Sequence, residues 1–333
     1  MLAPILHKGK SKVKSIAVLT SGGDAPGMNA AIRAVVRTAI SHEVAVYGVA
    51  KGYSGLLEGR IQRLSAGSVA NIIQRGGTIL KTDRCPAFYE KSARREAANL
   101  MRRQGIESLI VIGGDGSYKG AHYLETENDF PVIGIPGTID NDIPGTEDTI
   151  GFDTSVNTAI EAIDRIRDTA NSHDRVFIVE VMGRSSGHIA LQVGIGGGAE
   201  RIIVPELPET WKGVSKAVDR GIKRGKTSSI IVVAEGPKPG LAFRVAKQLE
   251  KGGHSGKVCI LGHIQRGGTP TAHDRFLASV LATSAVHCLL AGKSNLAVGV
   301  LNGQVVRVPL AEIVRHRRPL PEGLMLMAAD LAS

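Results

Sequence analysis

The sequence predicts an α/β protein with mainly parallel sheets, and three observations carry that reading. Short apolar runs alternate with helical stretches along the chain. The runs are near-continuously apolar, as strands covered on both faces must be. Polar glycine loops follow them: SGGD, GGDGS, GTIDND, MGRSSG, AEG and GHIQRGG. Ligands in such folds bind beyond the carboxyl ends of the strands, so these loops predict one large site assembled from distant sequence.

The elements follow in order. Residues 15–20 (SIAVLT) read as a strand, and SGGDAPGM leads into a helix with Ile32, Val35, Val36, Ala39 and Ile40 on one face. Arg33 and Arg37 lie one turn apart on its other side. Residues 44–49 form the next strand. A charged helix over 92–104 is ended by Gly105. Residues 108–112 (SLIVI), the turn GGDGS and a short helix to Leu124 come next. The strand 131–135 ends at the acidic loop PGTIDNDIPGTEDT. A long helix spans 154–172, with Asp153 or Thr154 as its cap. The run 176–182 is a strand ending in GRSSG. Further strands lie at 202–204, 229–234 and 258–262, with helices near 212–223, 242–251 and 274–290.

Composition narrows the function. At 333 residues the chain is long enough for two domains. Aromatic residues make up 4%, which argues against a nucleic-acid stacking surface. Cys85, Cys259 and Cys288 are far apart and show neither disulfide nor zinc spacing, which favours a reducing, cytoplasmic setting. Apolar runs of the roughly 18 residues needed to cross a membrane are absent. The start, MLAPILHKGKSKVKS, reads as a flexible basic tail over 1–13, with Lys8, Lys10, Lys12 and Lys14 in solvent. The formal charge of +10 suits anionic small molecules as well as polyanions.

The glycine turns suit phosphate. In SGGDAPG and GGDGSYKG, glycines let backbone N–H groups approach an anion ahead of a helix N-terminus. The standard phosphate motifs GxxxxGK[ST] and GxGxxG do not match. An Asp beside a phosphate cradle repels unless a cation intervenes, so Asp115 is a candidate Mg²⁺ ligand. Arg175, Arg184 and Arg266 each adjoin a strand end, and arginines converging on one crevice suit a phosphorylated substrate. A rival reading exists. GRSSG fits GxSxG between a strand and an apolar helix, and Ser185 with Asp219 and His263 would make an α/β-hydrolase.

Taken together, TSGGDAPGMNAAIR, IGGDGSY, GIPGTIDNDIPGT, EVMGRSSG and LGHIQRGGTP resemble the bacterial ATP-dependent 6-phosphofructokinase family, from about Lys14 to about Leu290. The resemblance implies Mg²⁺-dependent transfer of the ATP γ-phosphoryl group to the 1-hydroxyl of fructose 6-phosphate, a glycolytic step. It implies two Rossmann-like domains with the active site in the cleft between them. Residues 14–151 with 264–312 would bind ATP, and 152–263 with 313–333 would bind sugar phosphate and effector. By the same matching, Asp140 is the base that takes the hydroxyl proton. Asp142 joins Asp115 in organising the metal, and Thr138 contacts the transferring group. Gly23 offers an N–H to the γ-phosphate, and Arg84 and Arg184 stabilise charge. Tyr53 and Cys85 lie by the nucleotide, while Gly114, Asp115, Gly116, Ser117 and Gly120 line its phosphates. Thr138, Ile139, Asp140, Met182, Gly183, Arg184, Glu235, His263 and Arg266 would hold the sugar phosphate. Arg175 and Lys257 would reach in from a neighbouring subunit, which implies a homotetramer. Glu147 and Asp148 read as ordinary surface charges.

The matching also marks departures. Lys257 stands where the family usually has Arg, and Cys85 where an aromatic often lies by the adenine. An ADP or phosphoenolpyruvate effector site matches at Arg33, Arg37, Arg167, Gly198, Glu200, Arg224 and Lys226, but its usual partner arginine falls near Ala66. Gly116 and Gly137 favour ATP over pyrophosphate, because the pyrophosphate-dependent branch typically carries Asp and Lys there. A pyrophosphate-dependent enzyme and a non-catalytic regulatory subunit are the remaining alternatives within this fold.

Overall fold

The computed structural model describes residues 2–171, 176–207, 211, 213–238 and 240–332. Its strands are β1 (Ser15–Ser21), β2 (Ala45–Val49), β3 (Ile61–Leu64), β4 (Ser108–Gly113), β5 (Val132–Pro136), β6 (Val176–Val181), β7 (Arg201–Ile203), β8 (Ser229–Ala234), β9 (Gly256–Ile260), β10 (Leu296–Leu301) and β11 (Gln304–Pro309). The chain divides into two compact units. The first comprises Met1–Thr138, Ile143–Asp153 and Arg266–Arg318, and the second Ile139–Asp142, Thr154–Gln265 and Pro319–Ser333.

In the first unit the sheet order is β11-β10-β5-β4-β1-β2-β3. Its centre is parallel, and antiparallel pairs close both edges. Every residue of β1 and β4 is buried, because helices cover both faces. One face carries a core of Tyr53, Phe88, Met101, Tyr118, Leu124 and Phe130 among others. On the other, helix Met28–Ser41 packs against helix Ala272–Leu290. The latter starts where Thr271 accepts the Asp274 N–H at 3.2 Å, a side-chain cap on an otherwise unsatisfied donor. Three strands escape the sequence reading: β3 and β11 are partly exposed edge strands without a continuous apolar run, and β10 is a buried apolar run (LAVGVL) that lies between β11 and β5.

The second unit holds a four-stranded sheet in the order β7-β8-β6-β9, parallel throughout. Ile178, Ile231, Val233 and Leu249 build its core with helices Val214–Lys223 and Leu241–Lys251. The long helix runs Phe152–Asn171, so Asp153 and Thr154 lie inside its first turn and do not cap it.

The N-terminal segment departs from the flexible tail expected of it. It lies along helix Ala272–Leu290: Ile5 N–H donates to Ser284 Oγ at 3.0 Å, His7 N–H to His287 Nδ1 at 3.1 Å and Lys12 N–H to the Leu290 carbonyl at 3.0 Å. Backbone groups that find fixed acceptors do not stay free. The four lysines remain exposed, as composition implied.

Candidate active site

In the first unit the pairing registers place Ser21 opposite Gly113 and Gly113 opposite Pro136. The carboxyl ends of β1, β4 and β5 therefore stand side by side, and the turns that follow them meet. Ser117 Oγ donates to the Ser21 carbonyl at 3.1 Å, and Gly137 N–H donates to the Gly113 carbonyl at 3.1 Å. A methyl group on Gly113 would strike the Ser21 carbonyl at 2.6 Å, and one on Gly114 would touch Thr138 at 3.5 Å. At Gly113 only glycine lets the two backbones come so close, while the Gly114–Thr138 spacing is an ordinary side-chain contact. Gly23, Gly114, Asp115, Ser117 and Thr138 thus belong to one cradle.

Gly116 faces open space: a methyl group added there would find no atom within 4 Å. Gly137 differs. A methyl there would press on Ile112 at 2.8 Å, so packing alone accounts for its glycine. Asp115 is the first residue of helix Asp115–Asn128, and its carboxylate pairs with Lys119 Nζ at 3.0 Å.

The remaining nucleotide residues surround this cradle unequally. Tyr53 is buried and supports it from beneath: its hydroxyl donates to the Ser117 carbonyl at 2.7 Å, and its ring stacks on Phe88 at 3.9 Å. Burial pushes its phenol pKa up. Gly120 admits the aromatic pair, since a methyl would meet Tyr53 at 3.0 Å and Phe88 at 3.1 Å. Arg84 is exposed and Cys85 half-buried. Their segment is tied to the SGGD turn by Thr82 Oγ1, which donates to the Gly22 carbonyl at 2.8 Å. Arg266 lies on the same turn, donating to the Asp24 carbonyl at 3.0 Å, and a methyl on Gly23 would meet its guanidinium at 2.5 Å.

The acidic loop is also fixed. Thr149 Oγ1 donates to the Thr138 carbonyl at 2.6 Å. Glu147 and Asp148, read as ordinary surface charges, are structural. Glu147 accepts the Asn302 N–H at 3.1 Å, and Asp148 pairs with His273. These side chains staple the loop to the β10–β11 hairpin and to helix Ala272–Leu290, contacts remote in sequence.

The second unit carries Ile139, Asp140 and Asp142 with the Gly183–Gly187 loop. Asn141 takes a left-handed φ of 49° and Arg184 one of 52°, a conformation that costs energy for side-chain-bearing residues. Hydrogen bonds hold the loop in place. Buried Gln265 accepts the Met182 N–H at 2.8 Å, Glu235 accepts the Arg184 N–H at 3.0 Å and Glu206 accepts the Gly187 N–H at 2.8 Å. Ser186 Oγ donates to the Asp140 carbonyl at 2.8 Å. Sequence reading named Glu235 among these but missed Ser186, Glu206 and Gln265, whose partners are fixed only by the fold. His263 is exposed on the short helix Gly262–Arg266.

Lys257 is exposed on β9, and it shares a cavity of about 420 Å³ with Lys226, Thr227, Ser228 and His254. Two lysines assigned to different ligands therefore face the same space. Arg175 lies outside the described residues. Of the effector residues, Arg33 and Arg37 belong to the first unit. In the second, Arg167 donates to the Gly198 carbonyl at 3.2 Å, Lys226 pairs with Glu200 at 3.0 Å and Arg224 donates to the Ala332 carbonyl at 3.3 Å. The hydrolase reading fails on geometry. Asp219 bonds His254 Nε2 at 2.8 Å in place of His263, and the helix after the GRSSG loop begins only at His188.

The phosphofructokinase family model matches residues 15–289. The chain belongs to the phosphofructokinase family. It is 52% identical over 321 residues to the ATP-dependent 6-phosphofructokinase of Bacillus licheniformis, covering 96% of this chain and 100% of that one. The enzyme of the same description from Bacillus subtilis is 51% identical over the same shares. Among solved structures, phosphofructokinase from Saccharomyces cerevisiae superposes with a TM-score of 0.86 at 37% identity, over 96% of this chain and 48% of that longer one. The fold of the chain is thus shared with a solved phosphofructokinase over nearly its whole length.

Proposed function

We propose that this protein transfers the γ-phosphoryl group of ATP to the 1-hydroxyl of fructose 6-phosphate, giving ADP and fructose 1,6-bisphosphate. The observation that carries the reading is the cradle of Gly23, Gly114, Ser117 and Thr138 at three adjacent strand ends. Identity above 50% along the full length of relatives described as ATP-dependent 6-phosphofructokinases supports the substrates.

Phosphoryl transfer needs positioning and charge stabilisation more than covalent chemistry. Asp140 accepts the proton of the attacking hydroxyl. Backbone N–H groups of the glycine turns and the Thr138 hydroxyl hold the phosphoryl oxygens, and Arg84 and Arg184 offset the charge that develops on them. His263, Glu235 and the Met182–Arg184 backbone orient the sugar phosphate. Mg²⁺ is commonly held through one or two carboxylates, waters and substrate phosphates, so the carboxylates named for it suit that ion. Asp115 and Asp142 would hold it, and it would neutralise phosphate charge when bound.

Open space at Gly116 supports ATP over pyrophosphate as donor. An assembly in which Lys257 and Arg175 serve a neighbouring copy's site, an anionic effector near Arg167 and Lys226, and a cytoplasmic setting complete the reading. Among the described residues no helix is long and apolar enough to cross a membrane. The deciding experiment is a coupled assay of fructose 1,6-bisphosphate formation with ATP or pyrophosphate as sole donor. Turnover with ATP and little with pyrophosphate is expected, and the reverse would overturn the donor assignment.

A further inference from the structure

We infer that Lys119 is an internal counter-ion for Asp115, and that it sets how strongly nucleotide binding depends on the divalent cation. The inference rests on the reading of the cradle as an ATP site. Lys119 Nζ lies 3.0 Å from Asp115 Oδ2, one helical turn away, with the two side chains 43% and 39% exposed. A pair this open adds little to folding stability, because water screens it and the lysine loses freedom in making it. Its position is what distinguishes it. Asp115 adjoins Gly114, which packs on Thr138, and Gly116, which faces open space.

A bare carboxylate at this place opposes a polyphosphate. Two groups can cancel its charge: a divalent cation, or the ammonium of Lys119. With the cation present, Asp115 is neutralised whether or not Lys119 is there. Without it, Lys119 screens the carboxylate from the phosphates, so removing the lysine penalises metal-free nucleotide selectively.

The test is the ratio of two dissociation constants for ATP on the full chain, one with excess EDTA and one with excess Mg²⁺, read by calorimetry. Lys119→Gln should raise this ratio about tenfold, mostly through the EDTA arm. Lys119→Arg keeps the charge and should keep the ratio. In an Asp115→Asn background, Lys119→Gln should leave the ratio nearly unchanged, since no carboxylate remains to screen. Equal weakening in both arms would make Lys119 a plain phosphate contact, and no change in either would make the pair idle; each result overturns the inference. Failure of the unmodified protein to bind ATP in both arms would instead strike the ATP reading itself.

Discussion

The Ser186 hydroxyl donates to the main-chain carbonyl of Asp140 at 2.8 Å. Ser186 is 4% exposed, so this bond forms away from competing water. It links the loop bearing Arg184 to the backbone of the proposed base. Asp140→Ala should lower kcat by about 10²–10⁴-fold with ATP affinity nearly unchanged, because a general base acts in the transition state. Ser186→Ala removes one neutral hydrogen bond, and its effect should stay within about tenfold in kcat. Steady-state kinetics of the two variants check the ordering. An Asp140 variant with near-normal turnover would remove that residue from the mechanism.

Gly116→Asp tests the donor channel. A Cβ at this position meets nothing within 4 Å, so the backbone admits a side chain and the variant should fold. The expected result is a rise of the ATP KM by about tenfold or more, with fructose 6-phosphate affinity little changed. An unaltered ATP KM would show that the phosphates do not pass residue 116.

Arg94 is a buried strut beside the nucleotide cradle. It bonds Glu127 through two nitrogens at 2.6 and 2.8 Å and donates to the carbonyls of Phe88 and Tyr89 at 2.8 and 2.7 Å. The Arg94 hydrogen bond holds the Glu127 carboxyl below its ordinary pKa. Arg94→Ala should cost about 1–3 kcal/mol in chemical denaturation, since it leaves the Phe88 and Tyr89 carbonyls without their donor and frees the turn that stacks Phe88 on Tyr53. A loss below about 1 kcal/mol would mean that the pair is replaced by water at no cost.

The N-terminal segment should release in mild acid. His287 Nδ1 accepts the His7 N–H, and the groups acting on its charge are His42 and His7, both able to carry positive charge. Burial pushes the His287 pKa below its ordinary value, and the two histidines add to the effect. A depressed folded-state pKa contributes stability that is complete above the unfolded value, about 6.5, and is lost as pH falls through the folded value. Amide protection of His7, corrected for intrinsic exchange, should therefore be high at pH 7.5 and low at pH 5.5. Equal protection at both pH values would refute the latch.

Much of this protein is legible in its sequence alone. Local periodicity marks the central strands and their helices, since apolar runs and amphipathic stretches report burial directly. The glycine turns are legible because a close backbone approach demands glycine whatever the fold around it. Gly113 shows this where β4 meets β1. The family likeness follows from the order of those turns. Tertiary structure decided what depends on partners remote in sequence. It showed that Glu147 and Asp148 are staples, that Tyr53 supports the cradle from beneath, and that the basic N-terminus packs on a helix. Ser186, Glu206 and Gln265 escaped for the same reason: a polar side chain declares its charge or its hydroxyl in the sequence, but its hydrogen-bond partner exists only once the chain has folded. Lys119 lies between these cases. Its spacing from Asp115 is written in the sequence, while its significance came from the open space the folded cradle leaves beside it.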